Sequence, residues 1–167
     1  PTATDFQQYS NGTPVVAAYP TGATSTGTVS VVDLASFTVT ATVETGLHPT
    51  GMAFWGKKLL VANAYSDSIS VIDTTKNTVV TTIATVAPAS VLSAAQAKYK
   101  GASPNGLALS PDENTLYVTN RGTNSLAVVT LGGAAPAVTG LIPTGWAPSD
   151  VRVSADGGGG AARTRHS

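Results

Sequence analysis

Four phrases recur in the same order along this chain, and an internal repeat constrains a fold more firmly than any local propensity does. One is a short apolar run ending in a small polar residue: VSVVD at 29–33, ISVID at 69–73 and LAVVT at 126–130. Each is followed by a polar or Gly-containing turn and then by a Thr- and Val-rich run, TVTATVETG at 38–46, TVVTTIATV at 78–86 and AVTGLIPTG at 137–145. The alternation within these runs suits half-buried strands. Next comes a Pro-containing turn leading into another short strand: HPTGMAF from 48, SPNGLALS from 103 and APSDVRVS from 147. Upstream of each apolar run lie VVAAY at 15–19, LLVANAY at 59–65 and TLYVTNRG at 115–122.

The unit is therefore four strands in about 40 residues, the period of a β-propeller blade. YVTN at 117–120, LVAN at 60–63 and SPD at 110–112 resemble the YVTN repeat of YncE-like bacterial propellers, and the likeness runs from about 13 to 157. The stretch GLIPTGWAPSDVRVSADG at 140–157 resembles a blade junction in bacterial proteins that join such a propeller to an alkaline-phosphatase-like phosphoesterase domain. None of that second domain's metal-binding motifs has a matching position here. The resemblance implies a non-catalytic propeller module of a surface or periplasmic protein, in a periplasmic or extracellular setting.

Composition agrees with strands and tight turns. Hydrophobic residues make up 42% of the 167, enough for a packed core, and only 11% are charged. Nine basic and nine acidic residues, unclustered, provide no electrostatic footprint for nucleic acid or an anionic membrane. The absence of cysteine removes disulfides, thiolate nucleophiles and Cys-ligated zinc. No apolar run approaches the roughly 18–20 residues that span a bilayer, and Pro1 to Ser10 lacks the regions of a signal peptide.

Two segments depart from the repeat. PASVLSAAQAKYK, within 87–101, has the Ala, Leu, Gln and Lys content of a short helix and reads as an insertion at a blade edge. From Gly158 the chain shows neither strand alternation nor helix periodicity, so 158–167 reads as a disordered or vector-derived tail. The expected architecture is all-β: three strands of a first blade over 13–46, a blade over 48–86, a blade over 103–145 and a lone inner strand at 147–155. Those twelve strands amount to three blades, which cannot close a ring alone. Unpaired edges and uncovered faces drive association, so a head-to-tail homodimer forming a six-bladed ring is expected, ahead of a trimer.

Neither a nucleophile elbow, an HExxH, a P-loop nor a dinucleotide-binding glycine motif occurs. Candidate chemistry is therefore positional. In a propeller the innermost strand lines the axial channel and the turn entering it faces the channel mouth. Those turns carry His48, Thr50, Ser103, Asn105, Ser149 and Asp150. His48, Asn105 and Asp150 are competent ligands for a divalent cation, calcium or zinc, the one cofactor the sequence suggests. His48, Asp150 and Arg152 are the catalytic candidates; Thr50, Ser103, Asn105, Trp146 and Ser149 are the ligand-binding ones. Each has a plain structural alternative: a local turn hydrogen bond for Asn105 and Asp150, an ion pair for Arg152, gap filling between blades for Trp55 and Trp146. Asp33 and Asp73 read as Asx-turn residues, and Asn63 and Asn120 as part of the repeat.

Two functions follow as expectations. One is a binding or scaffold propeller that assembles with itself. The other is a metal-dependent hydrolase of an ester, lactone or phosphoester in the axial channel, by architectural analogy with lactonase and paraoxonase-like propellers that hold a catalytic cation there.

Overall fold

A computed structural model describes residues 5–10, 13–18, 25–88, 92 and 100–164. Among them every regular element is a strand, and the sheets are antiparallel. Two are complete four-stranded meanders. The first runs β5 (Pro49–Trp55), β6 (Lys58–Asn63), β7 (Ser68–Asp73) and β8 (Thr78–Ala84), and the second runs β9 (Pro104–Leu109), β10 (Thr115–Asn120), β11 (Ser125–Thr130) and β12 (Ala137–Pro143). Strands β3 (Gly27–Asp33) and β4 (Thr38–Thr45) form a two-stranded sheet with the sequence of a blade's outer half. The chain is thus a β-propeller fragment.

Burial follows from blades stacking on both faces. The middle strands are covered on two sides, so Leu60, Val61, Ala62 and Asn63 of β6 are all buried, as are Ser68 to Ile72 of β7. Consecutive apolar residues, rather than strict alternation, are the signature of such a strand. The rim strand β8 is exposed except at Ile83. Between the two full blades, Leu60, Ile69, Val71 and Ile83 meet Leu116, Val118, Ala127 and Val129, with Leu107 and Leu109 of the inner strand packed alongside. A smaller cluster joins Val43 and Val29 of the half-blade to Val61, Ile72 and Leu59. Each fully buried Val, Leu or Ile among them contributes about 1.5–3 kcal/mol through burial.

The repeat extends to irregularities. The pairing of the two outer strands slips at Val31/Val32, at Val71/Ile72 and at Val128/Val129, the same place in each unit. A bulge there bends the strand and increases its twist. Left-handed backbone also repeats, at Phe37 and Asn77 between outer strands, at Asp67 and Asn124 between middle strands, and at His48, Ser103 and Ala147 before the prolines.

Both ends of the expected layout are corrected. Residues 13–18 do pair, but with an unanticipated strand: β1 (Asp5–Ser10) and β2 (Thr13–Ala18) form their own two-stranded sheet, separate from β3 and β4. Pro14 lies within β2, and a residue with no N–H to donate belongs in an edge strand, not between two neighbours. The inner strand β13 (Asp150–Val153) is not alone, since β14 (Gly160–Arg163) returns antiparallel to it. The intervening turn is closed by Ser154, whose Oγ accepts from Gly159 N at 2.9 Å, and by Asp156, which accepts from Gly158 N at 3.0 Å. A strand of Gly and Ala carries no side-chain alternation, so it has no hydrophobic pattern to read. Of the tail, 165–167 lie outside the described residues, as do 89–91 and 93–99 of the expected helical insertion.

Candidate functional site at the inner-strand turns

The inner strands β5, β9 and β13 lie side by side in sequence order, as spokes meeting at a hub require. Their approach is made by glycine. A Cβ built on Gly51 would stand 2.0 Å from the backbone oxygen of Asn105, and one on Gly106 would stand 2.9 Å from Asp150 Cα. No side chain fits between these backbones, which is why the turns read P-T-G and P-N-G. The third turn, P-S-D, places Asp150 where the other two have glycine.

Hydroxyls stitch the same contact. Thr50 Oγ1 lies 3.2 Å from the Pro104 carbonyl of the next blade and 3.3 Å from that of Ala62. Gly106 N donates to Thr119 Oγ1 at 2.7 Å. Ser149 N donates to the Arg163 carbonyl at 2.8 Å. The structure therefore brings Thr50, Asn105, Ser149 and Asp150 into one row across three turns.

Asp150 and Arg152 each contact a near neighbour in the chain. Asp150 accepts a hydrogen bond from Val151 N at 2.9 Å, and its other oxygen is 3.7 Å from the Arg152 guanidinium. With the Arg152 side chain 85% exposed, that pair is worth little. His48 stands just outside the row, its ring stacked on Tyr65 with centroids 4.4 Å apart. Among the described residues no group of three or more His, Cys, Asp or Glu is placed to hold a metal.

Trp55 is partly buried against the inter-blade core, with Lys58 Nζ 4.2 Å above its ring. Trp146 does not fill a gap: it is 74% exposed and lines an open cleft with Ser103, Arg121, Asn124 and Ala147.

Sequence reasoning missed Asp67. This buried residue accepts from Gly101 N at 2.6 Å and from Ser103 N at 2.9 Å, fixing the turn that enters the next blade. Asn124, at the same place one unit later, accepts from Ala147 N at 2.9 Å. Asn120 performs a parallel task, donating to the Thr85 carbonyl at 2.9 Å across the blade boundary. The recurrence of a short polar residue ahead of Ser68 and Ser125 was the available signal.

Among solved structures, hydrazine synthase of Kuenenia stuttgartiensis is similar at 29% identity and TM-score 0.65, over 81% of this chain and 35% of that one. A functionally unknown protein from Desulfotomaculum acetoxidans matches at 13% and 0.61, over 90% and 45% respectively. A putative 6-phosphogluconolactonase from Bacteroides uniformis matches at 17% and 0.61, over 83% and 43%. The chain thus spans 35–45% of the length of these structures. No curated protein matches. The sequence model described as Lactonase, 7-bladed beta-propeller matches residues 34–159, three quarters of the chain, and the chain belongs to that family.

Proposed function

We propose that this chain is a β-propeller binding and scaffold module that assembles with copies of itself and presents a polar face at the axis. The observation that carries the reading is the backbone contact of the inner turns through Gly51 and Gly106, which aligns Thr50, Asn105, Ser149 and Asp150. Two hydroxyls, an amide and a carboxylate in a row suit a polar, hydrogen-bonding ligand. The YncE-like resemblance and a periplasmic or extracellular location belong to the same proposal. Measurement of the mass in solution tests assembly, and a stable folded monomer would end it.

A second reading, hydrolysis of a lactone, ester or phosphoester, is favoured by the name of the family and by that of the Bacteroides uniformis protein. Its residues would be His48, Asp150 and Arg152, with a divalent cation held by His48, Asn105 and Asp150 from facing copies. An aryl ester, a small lactone and an aryl phosphotriester, each with and without EDTA, separate the two. Turnover lost in Asp150→Asn and His48→Ala would replace the scaffold reading; turnover indifferent to both would remove these residues from the chemistry.

A further inference from the structure

Two half-blades of complementary kind stand at opposite ends of the repeat. Among the described residues, β3 and β4 are an outer pair with no inner partner, and β13 and β14 are an inner pair with no outer partner. The faces beside them are correspondingly open. Met52 and Phe54 occupy in β5 the places that Leu107 and Leu109 occupy in β9. Leu107 and Leu109 pack against the inter-blade core, whereas Met52 is 57% exposed and Phe54 70%. A groove lined by Val29, Val31, Met52, Phe54 and Leu59 lies where inner strands of the preceding blade belong. At the other end a groove lined by Tyr117, Leu126, Ile142, Val151 and Val153 lies where outer strands belong.

We infer that β13 and β14 of one copy add to β3 and β4 of a second copy, making a composite four-stranded blade in which β14 pairs antiparallel with β3. This rests on the self-assembly reading and specifies its interface. The register follows from the complete blades. Val61 pairs with Ser70, and Val118 with Ala127. By the inner pairing, Val151 faces Ala162 as Met52 faces Val61, so Ala162 is the equivalent of Val61, and Ser30 is that of Ser70. Ala162 of one copy thus stands opposite Ser30 of the other. The chain's own β1 and β2 are the competing occupants. They fit less well, because Gln7, which pairs with Val16, falls where the repeat has Met52, Leu107 and Val151, and because Pro14 disfavours a central strand.

The native chain has no cysteine, so engineered pairs report cleanly. Directly opposed Cβ atoms in an antiparallel pair lie about 4.5–5.5 Å apart, within reach of a disulfide or a short bis-maleimide. Full-length Ser30→Cys/Ala162→Cys is expected to convert mostly to a covalent dimer on treatment with either reagent. Asp33→Cys/Ala162→Cys, out of register, is not. A native dimer that cross-links in neither pair, or equally in both, overturns the composite blade while leaving self-assembly standing. Efficient cross-linking within one chain of Val16→Cys/Ser30→Cys overturns it in favour of β2. A native monomer overturns both.

Discussion

Asp67 shows how one side chain ties a blade to its successor. Its carboxylate accepts from two backbone N–H groups 34 and 36 residues later, and removing it leaves both without their partner in a half-buried turn. Asp67→Ala should cost about 2–3 kcal/mol, read as a fall in the denaturation midpoint, and Asp67→Asn distinctly less, because Asn124 already does the related job with one amide oxygen. Phe37 is the opposite case. It holds φ +54 while 82% exposed, at the place where the next unit has Asn77. A bulky side chain in left-handed backbone is strained, and Asn tolerates that region better. Phe37→Asn should therefore stabilise by about 0.5–1 kcal/mol, measured as a higher Tm. The turn aspartates Asp33, Asp73, Asp112 and Asp156 are held below their ordinary value of 3.8, chiefly by hydrogen bonds from neighbouring Ser or Thr hydroxyls: Ser36, Thr75, Ser110 and Ser154 respectively. A carboxylate with a lowered folded pKa adds stability that is complete above its unfolded value and is lost as pH falls through the folded one. Denaturant midpoints should accordingly drop as pH is taken from about 4 downward, and Asp→Asn at all four turns should flatten that drop.

Strands pack closely at the hub because two glycines let them. Gly51→Ala would put a methyl 2.0 Å from the Asn105 oxygen, so β5 and β9 must part, at a cost of about 2 kcal/mol or more. Gly132→Ala is the control, since its nearest neighbour is Asn114 Oδ1 at 4.0 Å; thermal melts of the two variants should differ sharply. The repeat made the two full blades legible because their strands bury apolar side chains at fixed intervals and their turns carry Pro, Gly and Asp for local reasons. Asp33 shows this, accepting from Ala35 N and Ser36 N in its own turn. Asp67 left only the faint signal of its recurrence as Asn124, for the converse reason that its partners lie beyond its own blade. β14 was illegible because Gly160, Ala161 and Ala162 carry no contrast between faces. Of the candidate row, Thr50, Asn105, Ser149 and Asp150 could be placed from their position after each proline. That Trp146 would stand exposed could not, because its surroundings, Ser103, Arg121 and Asn124, come from turns well before it in the chain.

At the scale of the whole molecule, stability and assembly draw on the same kind of surface, and substitutions can tell them apart. Leu60→Ala opens the covered core between the full blades and should cost about 2–5 kcal/mol at any protein concentration. Phe54 is exposed in the single chain, and in the proposed assembly a second copy fills the groove beside it. In the proposed assembly two copies would contribute six blades where the family's name counts seven, so each boundary would open by a slightly larger angle, with the groove at Phe54 at the new boundary. Association stabilises by mass action, so the Tm of the native chain should rise with concentration. Phe54→Ser removes apolar area that counts only in the complex. It should leave the Tm of dilute protein nearly unchanged and abolish the rise, which calorimetry across a hundredfold range of about 1–100 µM would read. A dilute Tm lowered as much as in Leu60→Ala would mean instead that Phe54 is already covered within one chain.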